Sequence, residues 1–173
     1  MTGPGRLIGV ISDTHGLVRP EAIDALRGSE LIIHAGDIGG PDVLQALREV
    51  APVVAVRGNN DHEDWAKTLK ESEAVRVGDA VLYVLHDIHA LDLDPVAAGF
   101  GAVISGHSHQ PLLEERRGVL YLNPGSAGPR RFTLPIAVAR LYVRGAALSA
   151  EIRELPVANR PARAVRPHGR LQG

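Results

Sequence analysis

At 173 residues, with 45% of them hydrophobic, the chain has the size of one globular domain, able to bury roughly two-thirds of its unfolded surface, and is no disordered protein. Its net charge of −1 offers no general nucleic-acid-binding surface, so no stable nucleic-acid partner is expected. The lack of cysteine excludes disulfides and thiolate ligands, leaving oxygen and imidazole nitrogen to hold any metal.

In chain order, RLIGVIS (6–12) predicts a buried strand, and VRPEAIDALRG (18–28) a helix with Pro20 in its first turn and Gly28 at its C-terminal end. LIIHAG (31–36) predicts the second strand. PDVLQALREV (41–50) carries Val43, Leu44, Leu47 and Val50 as an apolar stripe at helical spacing. VVAVRG (53–58) is the third strand, followed by a short helix near Asp64 to Leu69. From Ala74 the pattern turns to paired strands: AVRV and AVLYVL around Gly78-Asp79, Leu112–Glu115 and Val119–Leu122 around Arg116 to Gly118, and IAVARLYV and ALSAEIREL around Gly145. AVISG (102–106) is a further buried strand. Parallel strands alternating with helices early, and antiparallel strands late, predict an α/β fold of two packed sheets with helices outside.

Residues 1–155 are read as a single domain, and the Pro/Arg-rich segment 156–173 as a solvated, weakly ordered tail. No run reaches the roughly 18 apolar residues of a membrane span. The N-terminal MTGPGRLIGVIS lacks a signal-peptide cleavage region, so a cytoplasmic location is the expectation.

Seven potential metal donors follow the strand-like runs: Asp13 and His15 in SDTH, Asp37 in AGD, Asn59 in GNND, His86 in VLH, and His107 and His109 in GHSH. Ends of parallel strands meet at one sheet edge, where open α/β folds place their ligands, so these residues should converge. Asp-x-His or Gly-Asp alone is weak, since such residues often cap the next helix. Two imidazoles two residues apart at a strand end are harder to attribute to packing, and seven of the eight histidines lie in or beside these motifs. Seven donors exceed what one ion takes, whereas two ions can share them, and Asp37 suits a bridge because a carboxylate offers oxygens to both. Mixed oxygen and nitrogen donors suit Mn, Ni, Fe, Co or Zn, with Mn favoured.

The ordered series D-x-H, GD, GNxD, H and GHxH resembles the calcineurin-like metallophosphoesterase superfamily. With the NPGS segment (Asn123 to Ser126), it is most similar to the small YfcE-like phosphodiesterases. The resemblance covers roughly residues 7 to 155. It implies a four-layer α/β/β/α sandwich of two mixed sheets flanked by helices, carrying two divalent metal ions. Asp13, His15, Asp37 and His109 would hold the first ion, and Asp37, Asn59, His86 and His107 the second. A metal-bound hydroxide would attack the phosphorus of a small phosphoester in line, with Asp37 and Asn59 setting the metals, Asn60 donating to a phosphate oxygen and Asp61 orienting its neighbours.

Two departures from the family pattern stand out. Asn60 occupies the position where many members carry a His that protonates the leaving oxygen; His62 and His89 are the available substitutes, each also readable as a surface residue. The usual HGH is replaced by His86-Asp87-Ile88-His89, which changes the loop beside the site. His34 is read as a buried, hydrogen-bonded residue. Arg57, Arg130 and Arg131 lie beside motifs and could face a phosphate or form surface salt bridges; of these, Arg57 and Arg130 are the expected substrate contacts. NPGS reads first as a turn closing the site. The leading expectation is thus a phosphodiesterase, with a phosphomonoesterase or nucleotidase as the alternative. A third is a non-catalytic protein-binding scaffold, as in a retromer sorting subunit of the same fold. So short a chain leaves little room for a lid, and a homo-oligomer, dimer or tetramer, could complete the site.

Overall fold

A computed structural model describes residues 5–157. The expected tail, apart from Pro156 and Val157, lies outside the described residues. The first sheet contains β1 (Arg6–Ile11), β2 (Leu31–His34), β3 (Val53–Ala55), β9 (Ala137–Arg144) and β10 (Ala147–Glu154), in the spatial order β10, β9, β1, β2, β3. The second contains β4 (Ser72–Val77), β5 (Ala80–Leu85), β6 (Ala102–Ile104), β7 (Leu112–Arg116) and β8 (Val119–Asn123), in the order β4, β5, β6, β8, β7. Both sheets are mixed. β1, β2 and β3 run parallel, as do β5, β6 and β8, and antiparallel partners complete each sheet.

The period of two along each strand divides its side chains between layers. From β1, Ile8 and Val10 enter the core between the sheets, where Ile33, Leu82, Val84, Ile104 and Leu141 meet them; Ile11 faces the opposite side with Ile32. That outer side is covered by α1 (Pro20–Leu26) through Ala22 and Leu26, and by α2 (Pro41–Arg48) through Val43, Leu44 and Leu47. Both helices start with proline, whose missing N–H costs nothing in a first turn, and Asp42 and Arg48 complement the dipole of α2. α1 ends directly against β1: a Cβ on Gly9 would lie 2.7 Å from Leu26 Cδ2 and 2.8 Å from Ser29 Oγ, so any side chain there would have to displace both.

The outer face of the second sheet carries a thinner fourth layer. Tyr83, Val103, Val119 and Tyr121 are met there by Ile88, which begins a 3-10 turn at Ile88–Ala90, and by Leu91, which follows it; this turn and the four-residue α3 (Pro95–Ala98) were not evident in the sequence. α3 is short because Asp94 caps it at one end and Gly99, at φ 78°, reverses it at the other. The helix expected near Asp64 to Leu69 is a single 3-10 turn, Asp64–Ala66. Ala66 is its one buried residue, and by Lys70 the chain is already held extended by the Arg57 N–H on the Lys70 carbonyl.

Candidate metal centre

The carboxyl ends of six parallel strands, three per sheet, meet along one edge. The loops after β1, β2, β3, β5 and β6 carry the seven expected donors, and Asn123 is the last residue of β8. Backbone bonds lock neighbouring loops in register: Asp13 N–H to the Gly36 carbonyl (3.0 Å), His15 N–H to the Asp37 carbonyl (3.0 Å), and Gly106 N–H to the His86 carbonyl (2.9 Å). Five donors, Asp13, His15, Asp37, His107 and His109, have left-handed φ between 46° and 70°. Asp and His tolerate this region better than most residues, yet each such position costs on the order of 1–3 kcal/mol. Strain concentrated on these residues is what a site that aims side chains inward requires.

Two donor groups form, Asp13 with His15 and His109, and Asp13 with Asp37 and His86, each with its ligand atoms within 4.8 Å of one another. Asp13 divides its labour between its oxygens. Oδ2 accepts from Ser12 Oγ (2.6 Å) and the His107 N–H (3.0 Å), while Oδ1 faces His109 Nε2 at 3.3 Å and His15 and His86 Nε2 at 3.9 Å each. Asp37 Oδ2 lies 3.3 Å from His86 Nε2 in its own group and 3.8 Å from His15 Nε2 of the other, while Asp13 is the residue that the two groups share. Asn59 Oδ1 is 3.2 Å from His107 Nδ1, which brings the last two donors to the rim beside them.

His86 gives its Nδ1–H to the Ala35 carbonyl (2.7 Å), which leaves the Nε2 lone pair directed inward. Asp13 Oδ1 and His86 Nε2 are both fully buried and form no hydrogen bond. A buried carboxylate oxygen facing imidazole nitrogens, with no N–H of good geometry on it, is costly in an empty site and natural around a cation. The donors present therefore fit a divalent metal.

The electrostatics agree. Burial pushes the Asp37 carboxyl up, but the His86 imidazole and the Asn60 backbone and side-chain N–H groups outweigh it and hold the acid well below the usual carboxylate range. Asp13 is likewise lowered: burial opposes ionisation, and His109, Ser12 and the His86 charge overcome it. Burial lowers His15 more than Asp37 and Asp13 raise it, with His109 and Arg131 adding to the lowering, which favours the neutral, metal-binding imidazole. His86 is raised despite its burial, because Asp37 and Asp13 lie against it.

Around these donors lies a supporting shell. Asp61 accepts from the Ile38, Gly39 and Gly58 N–H groups at 2.9–3.2 Å, tying the loop after β2 to the loop after β3. The Asn60 amide is placed on Asp37 Oδ2 (2.9 Å) and its backbone N–H on Oδ1 (2.9 Å), so here it steadies the carboxylate. His34 is buried as expected: it accepts from the Gly36 N–H and donates to Thr14 Oγ1, itself a donor to the Ile38 carbonyl, and burial pushes its pKa down to about 4. NPGS runs from Asn123, the last residue of β8, to Ser126, which bridges Ile136, and lies against the site. Asn123 Nδ2 holds the Gly106 carbonyl (2.9 Å) and Ser108 Oγ (3.1 Å), and Ser126 Oγ donates to the Asp13 carbonyl (3.0 Å). At Gly106 a Cβ would overlap Ser12 Oγ and lie 2.6 Å from Asp13 Oδ2, so the GHSH loop reaches Asp13 only with glycine there.

Of the expected substrate arginines, Arg57 pairs with Glu71 (3.0 Å) and lines a cavity of about 320 Å³ together with Asn59 and His86, and Arg130 donates to the Leu134 carbonyl (3.2 Å). Arg131 and His62 are exposed, and His89 bonds Asp87 rather than any donor. Sequence reasoning did not single out Ser12, Thr14 or the orienting role of Asn123. Ser12 had one readable signal, a hydroxyl between a strand end and an expected ligand.

Residues 7–146 match the calcineurin-like phosphoesterase superfamily domain. The chain belongs to this superfamily. A relative, the probable metallophosphoesterase of Methanothermobacter thermautotrophicus, is 43% identical over 157 residues, covering 84% of this chain and 91% of its own. The solved structure of an archaeal phosphodiesterase superposes with a TM-score of 0.71 at 25% identity, covering 85% of this chain and 99% of that one. Vps29 of Entamoeba histolytica, solved with Zn2+, gives 0.67 at 23% identity over 86% and 98% of the two chains, and shares the fold alone. The crowding of candidate donors from five loops of two sheets along one edge thus occurs on a fold that this superfamily shares.

Proposed function

We propose that the chain is a dinuclear-metal-dependent phosphodiesterase acting in the cytoplasm on a small phosphoester. The observation that carries this reading is the pair of donor groups sharing one buried wall, with Asp37 Oδ2 between His15 and His86. In this reading Asp13, His15, Asp37 and His109 hold one ion, Asp37, Asn59, His86 and His107 the other. Bound there, divalent ions such as Mn2+ supply Lewis acidity to phosphoryl oxygens and make water a nucleophile at neutral pH. The chain itself does the positioning. Asp13 and Asp37 balance positive charge, the Ala35 carbonyl keeps the His86 Nε2 lone pair inward, His107 Nδ1 stands beside Asn59 Oδ1, and Asn60 and Asp61 hold Asp37 and its loop.

Asn60 cannot protonate a leaving oxygen, so the preferred substrates are esters whose leaving group needs little protonation. No helix among the described residues is long and apolar enough to cross a membrane. Retention of all seven donors favours an enzyme over a protein-binding scaffold of the same fold. Incubation of metal-stripped protein with Mn2+ and matched chromogenic phosphate di- and monoesters tests the reading. Metal-dependent turnover, faster on the diester, is expected; the reverse preference would make it a monoesterase, and no turnover of either would sink the enzyme.

A further inference from the structure

Asp87 has no part in the seven-donor set, and it replaces the glycine that the resemblance leads one to expect after His86. The loop it starts separates two cavities beside the site, of about 580 Å³ and 320 Å³, and Asp87 lines both. Its carboxylate is fixed from one side. Oδ1 accepts the His89 backbone N–H and faces His89 Nδ1, both at 3.0 Å, closing the 3-10 turn Ile88–Ala90. Oδ2 is left facing His107 Nε2 at 3.8 Å.

His107 is the ring ligand most in need of such a partner. Its side chain is 44% exposed, against 6% for His86 and 3% for His109, so packing restrains it least. Its Nδ1 points to Asn59 Oδ1, and the ring edge stands against His86 at 80°. Asn59 Oδ1 can only accept, so this contact by itself favours a proton on Nδ1; for Nδ1 to offer a lone pair to an ion that Asn59 Oδ1 also faces, the ring proton must sit on Nε2. A carboxylate on the Nε2 side selects that tautomer and orientation, as the partners of metal-binding histidines do generally. At 3.8 Å the contact is too long for a hydrogen bond, and a change of about 1 Å would make it one. Site contacts of this kind are commonly long before ligands bind.

We propose that Asp87 is a positioning residue for His107: pinned by His89, it holds the exposed imidazole in the tautomer and orientation that complete the second metal position. The proposal rests on the dinuclear reading above. It assigns the loop that departs from the family pattern a task in metal retention, and makes His89 a brace for Asp87.

Calorimetric titration of metal-stripped full-length protein with Mn2+ tests it, comparing wild type with Asp87→Asn, Asp87→Glu and His89→Ala. Wild type should take two ions. Asp87→Asn should keep one at unchanged affinity and bind the other roughly 10–100-fold more weakly, with Asp87→Glu recovering most of the loss and His89→Ala showing a smaller one. The Mn2+ concentration for half-maximal diester hydrolysis should rise by the same factor in Asp87→Asn while kcat at saturating Mn2+ stays near wild type. Two unchanged affinities in a folded Asp87→Asn protein would overturn the proposal, as would equal weakening of both ions, which marks general loop damage. Wild type that binds two ions yet hydrolyses nothing would remove the phosphodiesterase reading, and the affinity comparison would still decide the role of Asp87.

Discussion

Asp37 is the residue on which most of the site's charge balance converges. Its Oδ2 has His86 Nε2 at 3.3 Å, His15 Nε2 at 3.8 Å and the Asn60 amide at 2.9 Å, and these neighbours keep the acid ionised. An amide of the same shape would keep the hydrogen-bond geometry in part but could not balance two cations. Asp37→Asn should therefore abolish hydrolysis and leave at most one tightly bound Mn2+ per chain, with an unchanged circular dichroism spectrum. Near-full activity in this variant would show that Asp37 is no bridge. The Asn60 amide, by contrast, lies on Asp37 where the sequence suggested a phosphate contact. Nothing in Gly-Asn-Asn-Asp distinguishes an amide aimed at substrate from one aimed at the carboxylate 23 positions earlier.

At the scale of elements, the loops matter more than the strands. Asp61 receives three backbone N–H groups from two loops, those after β2 and β3, and so sets where Asp37 and Asn59 stand relative to each other. Asp61→Ala strands buried N–H groups and should cost about 1–3 kcal/mol in the metal-free protein, measured by urea unfolding. Activity should fall with it through the displaced donors, while Asp61→Asn, which retains an acceptor oxygen, should lose less on both counts. A stability loss without any change in metal affinity would place Asp61 in the scaffold alone. The donors were legible because strand period and motif order mark strand ends, and fold topology brings strand ends together. The supporting shell was not: Thr14 and Asn123 act through hydrogen bonds to partners 15 to 24 residues away, a relation no local pattern encodes. The same holds for sheet membership. β9 and β10 read correctly as a hairpin, but their return to pair with β1 is set by tertiary packing.

Across the whole molecule, His34 couples the site's foundation to global stability. It sits at the end of β2, wholly buried, joining that strand through Thr14 to the loop after β1. Burial is the main cause of its low pKa, about 4, while Asp13 and Asp61 act in the opposite direction and His86 with it. The unfolded chain takes up a proton at His34 near the ordinary value, about 6.5. Between these values the unfolded state is protonated there and the native state is not, so acid favours unfolding. The contribution is fully present above pH 6.5 and is lost as pH falls towards 4. At pH 4.5 it amounts to about 2–3 kcal/mol relative to pH 7.5. Urea unfolding of metal-free wild type and His34→Gln at both pH values isolates it, because the other titrating groups are common to the two. Wild type should lose about 2–3 kcal/mol more than the variant over this interval, even if His34→Gln is the less stable protein at pH 7.5. Equal losses would mean that His34 is protonated in the folded state as readily as in the unfolded one, and that the neutral bridge between Gly36 and Thr14 is not what secures the loop beneath Asp37.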